Sequence, residues 1–538
     1  MSVTYRAPVY CENGVVASPH YLASLAGVQV LQDGGNALDA AIAANAAVGV
    51  AWPHMCGIGG DLFLMMYWAQ SGEVYALNAS GRSAANATLE RARAIGHSRI
   101  PERGGLSVTA PGAVDGWIVA HERFGSLEME RLLAPAIQYA ERGFPISAWL
   151  SRAIADKLPI FQQYPAALEV FAPGGRVPGP ADRLANPALA RSLKRIAGRG
   201  RSGFYEGATA ARVAQAVHDA GGFMDEADLA DQHADWVEPL RTNYRGLEVL
   251  EMPPNTQGLT ALQMFNLMQG FDLASAGHNS AQAIHWMVES KRLAFADRDA
   301  YLADPDAVTA SVEWLASAEY ANQRRAGIDP RRAARSVSAG RSKADGDTIY
   351  LCTADRHGNV VSLIQSLFHS FGSGVVAGGT GIVLHNRGAS FNLDPTHPNR
   401  LAPRKRPFHT LIPALALSKG KPWLAFGTRG ADGQPQTQAQ VLANIVDFGM
   451  NPQEALEAPR VVHDGPSSHH PPDTVVLESR IPDVERVAEE LRLRGQQVLI
   501  SSELDVGMGT AQAIQVDRER GILMAGSDPR GDGAAIGW

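Results

Sequence analysis

After Ser18-Pro19, Leu22, Leu25, Ala26 and Val30 recur at three- and four-residue intervals until Gly34-Gly35 ends the run. That spacing lays one apolar stripe along a helix, with the serine as N-cap, the proline in the first turn and the glycines as a stop. A second helix follows at once: Asn36 can cap it, and Asp39, three residues on, can answer with its carboxylate. Residues 37–52 are apolar and alanine-dominated, so this helix can lie close against a sheet. It carries Asp39 and Asn45 and falls short of the roughly 20 apolar residues of a membrane span, which makes it a buried helix. Residues 62–68 and 72–77 read as strands flanking a turn.

Helical periodicity dominates from 126 to about 300, broken by Gly/Pro-rich stretches such as 172–179. Residues 306–346 are the least regular, with Arg324-Arg325, Arg331-Arg332, Arg335 and a Ser/Gly-rich end. From 348 onward strands and glycines prevail, with Asp355-Arg356-His357-Gly358-Asn359 as a hairpin turn. Helices are expected near 433–446 and 481–494, then closing strands. No internal repeat is present.

At 538 residues the chain exceeds the size of one ordinary core, so two domains or one large layered unit are expected. Its 48 Lys/Arg against 55 Asp/Glu give a net charge of −7, with the basic residues dispersed. No footprint for nucleic acid follows from that, and no membrane span; a small-molecule substrate does. Cys11, Cys56 and Cys352 are odd in number and lack metal-ligand spacing, so they are expected as buried free thiols in a reducing compartment. Residues 1–14 show no apolar signal core, and the expected location is cytoplasmic. His469-His470 beside Asp464 reads as a solvated loop rather than a metal site, and Gly57-Ile58-Gly59-Gly60 as a close-packing turn.

The chemistry concentrates at Gly346-Asp347-Thr348-Ile349-Tyr350, where Thr348 opens a β-rich run. A threonine hydroxyl needs an adjacent base, and a threonine freed at a new N-terminus has one in its own α-amine, with a pKa of about 7.7–8.0. Acyl transfer also needs donors aimed at the developing oxyanion, and the turn Gly427-Thr428-Arg429-Gly430-Ala431-Asp432-Gly433 can supply backbone amides.

Around these positions the chain resembles the γ-glutamyltranspeptidase family of N-terminal-nucleophile hydrolases. The resemblance rests on ordered matches: Gly34-Gly35-Asn36-Ala37-Leu38-Asp39-Ala40-Ala41, Gly57-Ile58-Gly59-Gly60-Asp61-Leu62-Phe63, Ala110-Pro111-Gly112-Ala113-Val114, Leu133-Ala134-Pro135-Ala136-Ile137, Phe204-Tyr205-Glu206-Gly207, Trp236-Val237-Glu238-Pro239-Leu240, Tyr244-Arg245-Gly246, Leu293-Ala294-Phe295-Ala296-Asp297-Arg298 and Ser527-Asp528-Pro529-Arg530. It implies an α+β fold, the four-layer αββα sandwich. It implies self-cleavage between Asp347 and Thr348 into an α-rich large chain, 1–347, and a β-rich small chain, 348–538, which stay associated; a dimer of such heterodimers is left open. No cofactor and no metal are implied. Gly430 and Ala431 stand where the family has a Gly-Gly oxyanion pair, and Ser366 where it has a hydroxyl supporting the nucleophile.

Substrate recognition departs from the family pattern. The arginine that grips an α-carboxylate aligns with Ser80, leaving that role vacant or moved to Arg82. An asparagine becomes Phe368; a glutamine and an aspartate become Arg387 and Ser390; a serine pair becomes His409-Thr410. Gaining an arginine while losing an acid favours a substrate with a carboxylate. Residues 392–403 form a short Pro-rich loop in place of a long lid, which favours water as acceptor. These departures are similar to the lid-less branch that includes oxamate amidohydrolase. The expected function is hydrolysis of a γ-glutamyl or similar small carboxylate-bearing amide, with an oxamate-type amidohydrolase releasing ammonia as the alternative. A non-catalytic binding protein that kept the fold is the alternative of another class.

Overall fold

The computed structural model of the chain describes residues 4–334, 347–464 and 471–538. His469, His470 and residues 335–346 lie outside them. Two seven-stranded sheets organise the described residues. Their strands up to residue 251 are β1 (Val9–Cys11), β2 (Gly14–Ser18), β3 (Asp61–Trp68), β4 (Glu73–Ala79), β5 (Asp235–Val237), β6 (Leu240–Tyr244) and β7 (Leu247–Glu251). Those that follow are β8 (Asp347–Asp355), β9 (Val360–Phe368), β10 (Ala414–Ser418), β11 (Lys421–Thr428), β12 (Ala511–Asp517), β13 (Ile522–Ser527) and β14 (Ala534–Gly537).

One sheet runs β1-β13-β12-β11-β10-β7-β6 and the other β14-β2-β8-β9-β3-β4-β5. Every neighbouring pair is antiparallel. Side chains alternate between faces, so Tyr350, Cys352 and Ala354 of β8 join Phe63, Leu250, Leu415, Ala425 and Ile514 in a core shared by both sheets. Ile349 and Leu351 point the other way, into a core with α1 (Tyr21–Gln32) and α2 (Ala37–Ala51). The remaining face of the first sheet, with Val249, Leu424 and Phe426, packs on Leu262 and Phe265 of one helix and Leu442 of another.

Helix α2 is buried at every position, as a helix apolar all round must be. Its start is the expected capping box: Asn36 Oδ1 accepts from the Leu38 and Asp39 amides at 2.8 and 3.0 Å, and Asp39 accepts from the Asn36 amide at 3.0 Å. The first helix begins later than its sequence suggests. Its N-cap is His20, because Ser18 ends β2, paired with Ala534, and its hydroxyl turns to Ser24. The stretch 126–300 also contains β5–β7, which helical periodicity alone overlooks, and residues 312–325 form two short helices. All three cysteines are free and buried. Among the described residues no helix is long and apolar enough to cross a membrane.

Candidate active site

Thr348 stands at the start of β8 and is fully buried. By the two-residue period it shares a face with Tyr350 and Cys352, toward the opposite sheet. The ladder is irregular at this point: Asp347 pairs with Phe368 and Ile349 with Gln365, so Ser366 and Leu367 together oppose the single residue Thr348. Such a bulge re-aims side chains, and here it sets the Thr348 and Ser366 hydroxyls face to face, with Thr348 Oγ1 donating to Ser366 Oγ at 3.2 Å. Ser366 Oγ also accepts from the Phe368 amide at 2.7 Å, which fixes its rotamer. Gly60 lets the neighbouring turn close on this strand, since a Cβ there would sit 2.3 Å from the Ser366 carbonyl oxygen.

The turn that carries Gly430 and Ala431, the expected oxyanion donors, comes from the other sheet, directly after β11. Gly430 has φ +123° and Ala431 φ +43°, so a non-glycine residue occupies the left-handed region. Gly433 and Gln434 amides return to the Gly430 and Ala431 carbonyls at 2.6 and 3.1 Å. The Gly430 and Ala431 amides themselves have no hydrogen-bond acceptor among the described residues, as an oxyanion hole requires.

Arg387 is fully buried with its guanidinium 3.9 Å from the Phe368 ring centroid. Its Nη1 donates to Thr410 Oγ1 at 3.2 Å, while Nη2 has no partner. Burial pulls the guanidinium down to about 9, opposed by the Asp61 charge, so it stays cationic at neutral pH. Asp61 is the buried anion of this cluster. Burial alone would raise its carboxyl, but the His385 and His409 imidazoles and Arg387 hold it at about 2. It accepts from the Gly81 and Gly112 amides at 3.0 and 3.2 Å and from His409 Nε2 at 3.1 Å. His409 is held by burial, and by the Arg387 charge, at about 3 and is therefore a neutral donor.

Gln257, which the sequence did not single out, ties these parts together. Its Nε2 donates to the Thr410 and Ala431 carbonyls, both at 2.9 Å. Its Oε1 accepts from Arg298 Nη1 at 3.2 Å, and the same Nη1 reaches Asp432 at 2.7 Å. Hydrogen bonds, one ring contact and chain neighbours thus run from Thr348 through Ser366, Phe368, Arg387, Thr410 and Gln257 to Ala431. Arg82 takes no part: its guanidinium pairs with Asp235 at 3.1 Å and with the His233 carbonyl. Ser390 Oγ donates to the Arg387 and Phe408 carbonyls. The 392–403 loop closes on itself, Asn392 bridging Arg400.

The family model for gamma-glutamyltranspeptidase matches residues 23–538. The chain belongs to the γ-glutamyltranspeptidase family. It is 40% identical over 524 residues to the glutathione hydrolase-like YwrD proenzyme of Bacillus subtilis strain 168, covering 97% of this chain and 98% of that one. It is 37% identical over 532 residues to the oxamate amidohydrolase proenzyme of Klebsiella pneumoniae, covering 98% of each. A cephalosporin acylase from Bacillus halodurans has a similar solved structure, with a TM-score of 0.92, 37% identity and coverage of 100% and 98%. Two motifs that carry the family resemblance hold roles their sequence does not announce. Asp61 follows the Gly59-Gly60 turn, and Arg298 ends Leu293–Arg298's apolar run. Gln257, in Asn255-Thr256-Gln257-Gly258, gives no signal beyond a polar loop.

Among the described residues His463, Asp464 and Asp473 could jointly hold a metal ion. Lys291 lies 3.1 Å from His463 Nδ1 and Arg292 2.8 Å from Asp473, so two cations already answer those groups.

Proposed function

We propose that Thr348 is the nucleophile of a self-processing amidohydrolase, cut between Asp347 and Thr348 into chains 1–347 and 348–538. In processing, Thr348 Oγ1 attacks the Asp347 carbonyl carbon, the C–N bond breaks and the freed Thr348 amine takes up the Oγ1 proton, and water hydrolyses the resulting ester to release the Asp347 carboxylate and restore the Thr348 hydroxyl. In turnover that amine takes the Oγ1 proton as oxygen attacks the substrate carbonyl. The Gly430 and Ala431 amides receive the oxyanion. Collapse expels the amine half, which takes the proton back, and water then hydrolyses the acyl-enzyme by the same route. Ser366 orients Oγ1. We read the paired sheets with helices on their outer faces as the four-layer αββα sandwich.

The observation that carries this reading is that the buried Thr348–Ser366 hydroxyl pair is linked through Phe368, Arg387, Thr410 and Gln257 to a turn whose Gly430 and Ala431 amides have no acceptor among the described residues. Arg387, with its open Nη2, is the clamp for a substrate carboxylate, and His409 and Thr410 shape its surroundings. The substrate is a small carboxylate-bearing amide, of γ-glutamyl or oxamate type. The oxamate type gains support from Ser390, which replaces an acid near Arg387 and leaves Asp61, already engaged by the Gly81 and Gly112 amides and His409, as the carboxylate of this cluster.

Intact mass of the purified protein tests the mechanism. Dividing 57.3 kDa in proportion to 347 and 191 of 538 residues gives pieces of about 37 and 20 kDa. Thr348→Ala is expected to stay whole and inactive. Active enzyme in one uncut chain would sink the proposal. A panel of glutathione, oxamate and N-acyl amino acids, read by released amine or ammonia, then sorts the substrates.

A further inference from the structure

Phe368 ends β9 and meets both the hydroxyl pair and Arg387. Its amide donates to Ser366 Oγ at 2.7 Å, its backbone pairs with Asp347, and its ring centroid lies 3.9 Å from the Arg387 guanidinium. The residue is buried and holds φ +75°. A side chain with a Cβ is strained in that left-handed region, and the strain persists only where the surroundings over-determine it. They do so here. The Leu367 carbonyl accepts from the Asn386 amide at 3.1 Å and the His369 amide donates to Asn386 Oδ1 at 2.9 Å, so bonds on both sides of Phe368 fasten it to the stretch that carries Arg387. The His369 ring stacks on the Phe368 ring, with centroids 4.3 Å apart.

The N–H groups of a guanidinium lie in its plane, whereas an aromatic ring answers the charge from the face. Phe368 therefore supports the cation without occupying a donor. Of those donors, Nη1 is bonded to Thr410 and Nη2 is open. A carboxylate partner would do the opposite, since it takes the same in-plane donors that a substrate carboxylate needs. Such a competitor is at hand in Asp61. It acts on Arg387 through its charge but makes no hydrogen bond or ion pair to it among the described residues, where it meets the Gly81 and Gly112 amides, His385 and His409.

We propose that Phe368 is a specificity-determining residue for the acyl half of the substrate: its ring keeps the Arg387 guanidinium off Asp61 and holds the open edge ready for a carboxylate. Phe368 is thus a positioning residue that acts through Arg387. The use of that edge by substrate rests on the reading of Arg387 as the clamp, and the hold on the guanidinium rests on the ring contact alone.

Phe368→Leu keeps apolar bulk and removes the π face, while fluorination of the ring at position 368 weakens the face and keeps the shape. A crystal structure of the leucine variant is expected to show the Arg387 guanidinium turned onto the Asp61 carboxylate. For the best carboxylate-bearing amide of the panel, KM should rise about tenfold, more than kcat falls, and the preference over its carboxamide counterpart, oxamide where oxamate is best, should shrink about tenfold. Fluorination should shrink that preference stepwise. In an Arg387→Gln background, Phe368→Leu should change the preference less than about twofold, because the two side chains act as one unit. Thermal midpoints check that each variant folds. Arg387 unmoved in the leucine variant, or a preference that survives ring fluorination, overturns the proposal. A wild-type enzyme with no preference between the two amides, beside an Arg387 displaced in the leucine variant, leaves the ring's hold standing and removes the clamp reading instead.

Discussion

Gln257 and Ala431 are joined by a 2.9 Å hydrogen bond from the glutamine amide to the alanine carbonyl, in a turn whose Gly430 and Ala431 amides have no acceptor among the described residues and are the proposed oxyanion donors. Breaking it leaves a buried carbonyl unpaired, at about 1–3 kcal/mol. Gln257→Leu is therefore expected to lower kcat by about 10- to 100-fold with a smaller change in KM, and to slow self-cleavage in parallel, since both reactions use the same donors. Steady-state kinetics and a processing time course check this. A change confined to KM would show that the brace serves substrate binding alone.

Arg387 and Arg82 separate cleanly as candidates for the carboxylate clamp. Arg387 is buried with an unpaired Nη2, whereas Arg82 is half-exposed and paired with Asp235. A charge-assisted pair contributes about 1.5–3 kcal/mol, so Arg387→Gln should cut kcat/KM for a carboxylate substrate by roughly 10- to 100-fold. Arg82→Gln should cost less than about threefold, as an exposed ion pair contributes about 1 kcal/mol or less. Processing should survive both. Kinetics on the best panel substrate decide, and a crippled Arg82→Gln beside an unaffected Arg387→Gln would reverse the assignment.

Ala431 holds φ +43°, a conformation that costs a residue with a Cβ about 1–2 kcal/mol. Glycine relieves that but loses about 0.4–1 kcal/mol through the freer unfolded chain. Ala431→Gly should leave activity within about threefold and the thermal midpoint equal or slightly higher. Ala431→Val, β-branched in the left-handed region, should lower the midpoint and kcat together. Differential scanning calorimetry beside kinetics tests the pair.

Acid should destabilise the protein early. Burial holds His54 and His409 at about 3 and His20 and His463 at about 4, against an ordinary 6.5. Between those values the unfolded chain binds more protons than the folded one, so stability falls as pH drops from 6.5 toward 4, by about 1.4 kcal/mol per pH unit for each histidine. Asp61 acts in a lower window: its folded value near 2 gives stability that is present above 3.8 and lost as pH falls toward 2. Thermal midpoints at pH 7.5, 6 and 5 should decline below 6.5. A flat profile would show that these histidines are not buried as neutral rings.

Local signals made the strand at Thr348, the α2 capping box and the Gly430-Ala431 turn legible as structure, because the signals for each lie within about ten residues. Thr348 stands at the start of β8, and the positive φ values of Gly430 and Ala431 turn the chain directly out of β11, although Gln257 and Arg298 brace that turn from afar. The bulge that aims Ser366 depends on the register between β8 and β9 and leaves no mark in either strand's composition. Gln257 was illegible for the same reason: a polar loop residue acquires its role only when Arg298, Thr410 and Ala431 arrive from three distant segments. The N-cap of α1 was misplaced because a sheet partner more than 500 residues away, Ala534, claims Ser18.

In one sheet β1 and β7 flank the four strands β10–β13, and in the other β2 lies between β14 and β8 while β3 borders β9, so five of the twelve strand pairings join residues on opposite sides of the 347/348 junction. A polypeptide beginning at residue 348 lacks β1 and β7 in one sheet and β2 and β3 in the other, the pairing partners of β13, β10, β14, β8 and β9, and has no independent way to restore them. Made alone, either piece should aggregate through its open edges, and mixing the two should restore little activity. On the proposed cut at 347/348, the continuous chain is thus its own assembly factor, with scission following the interlacing that makes dissociation impractical.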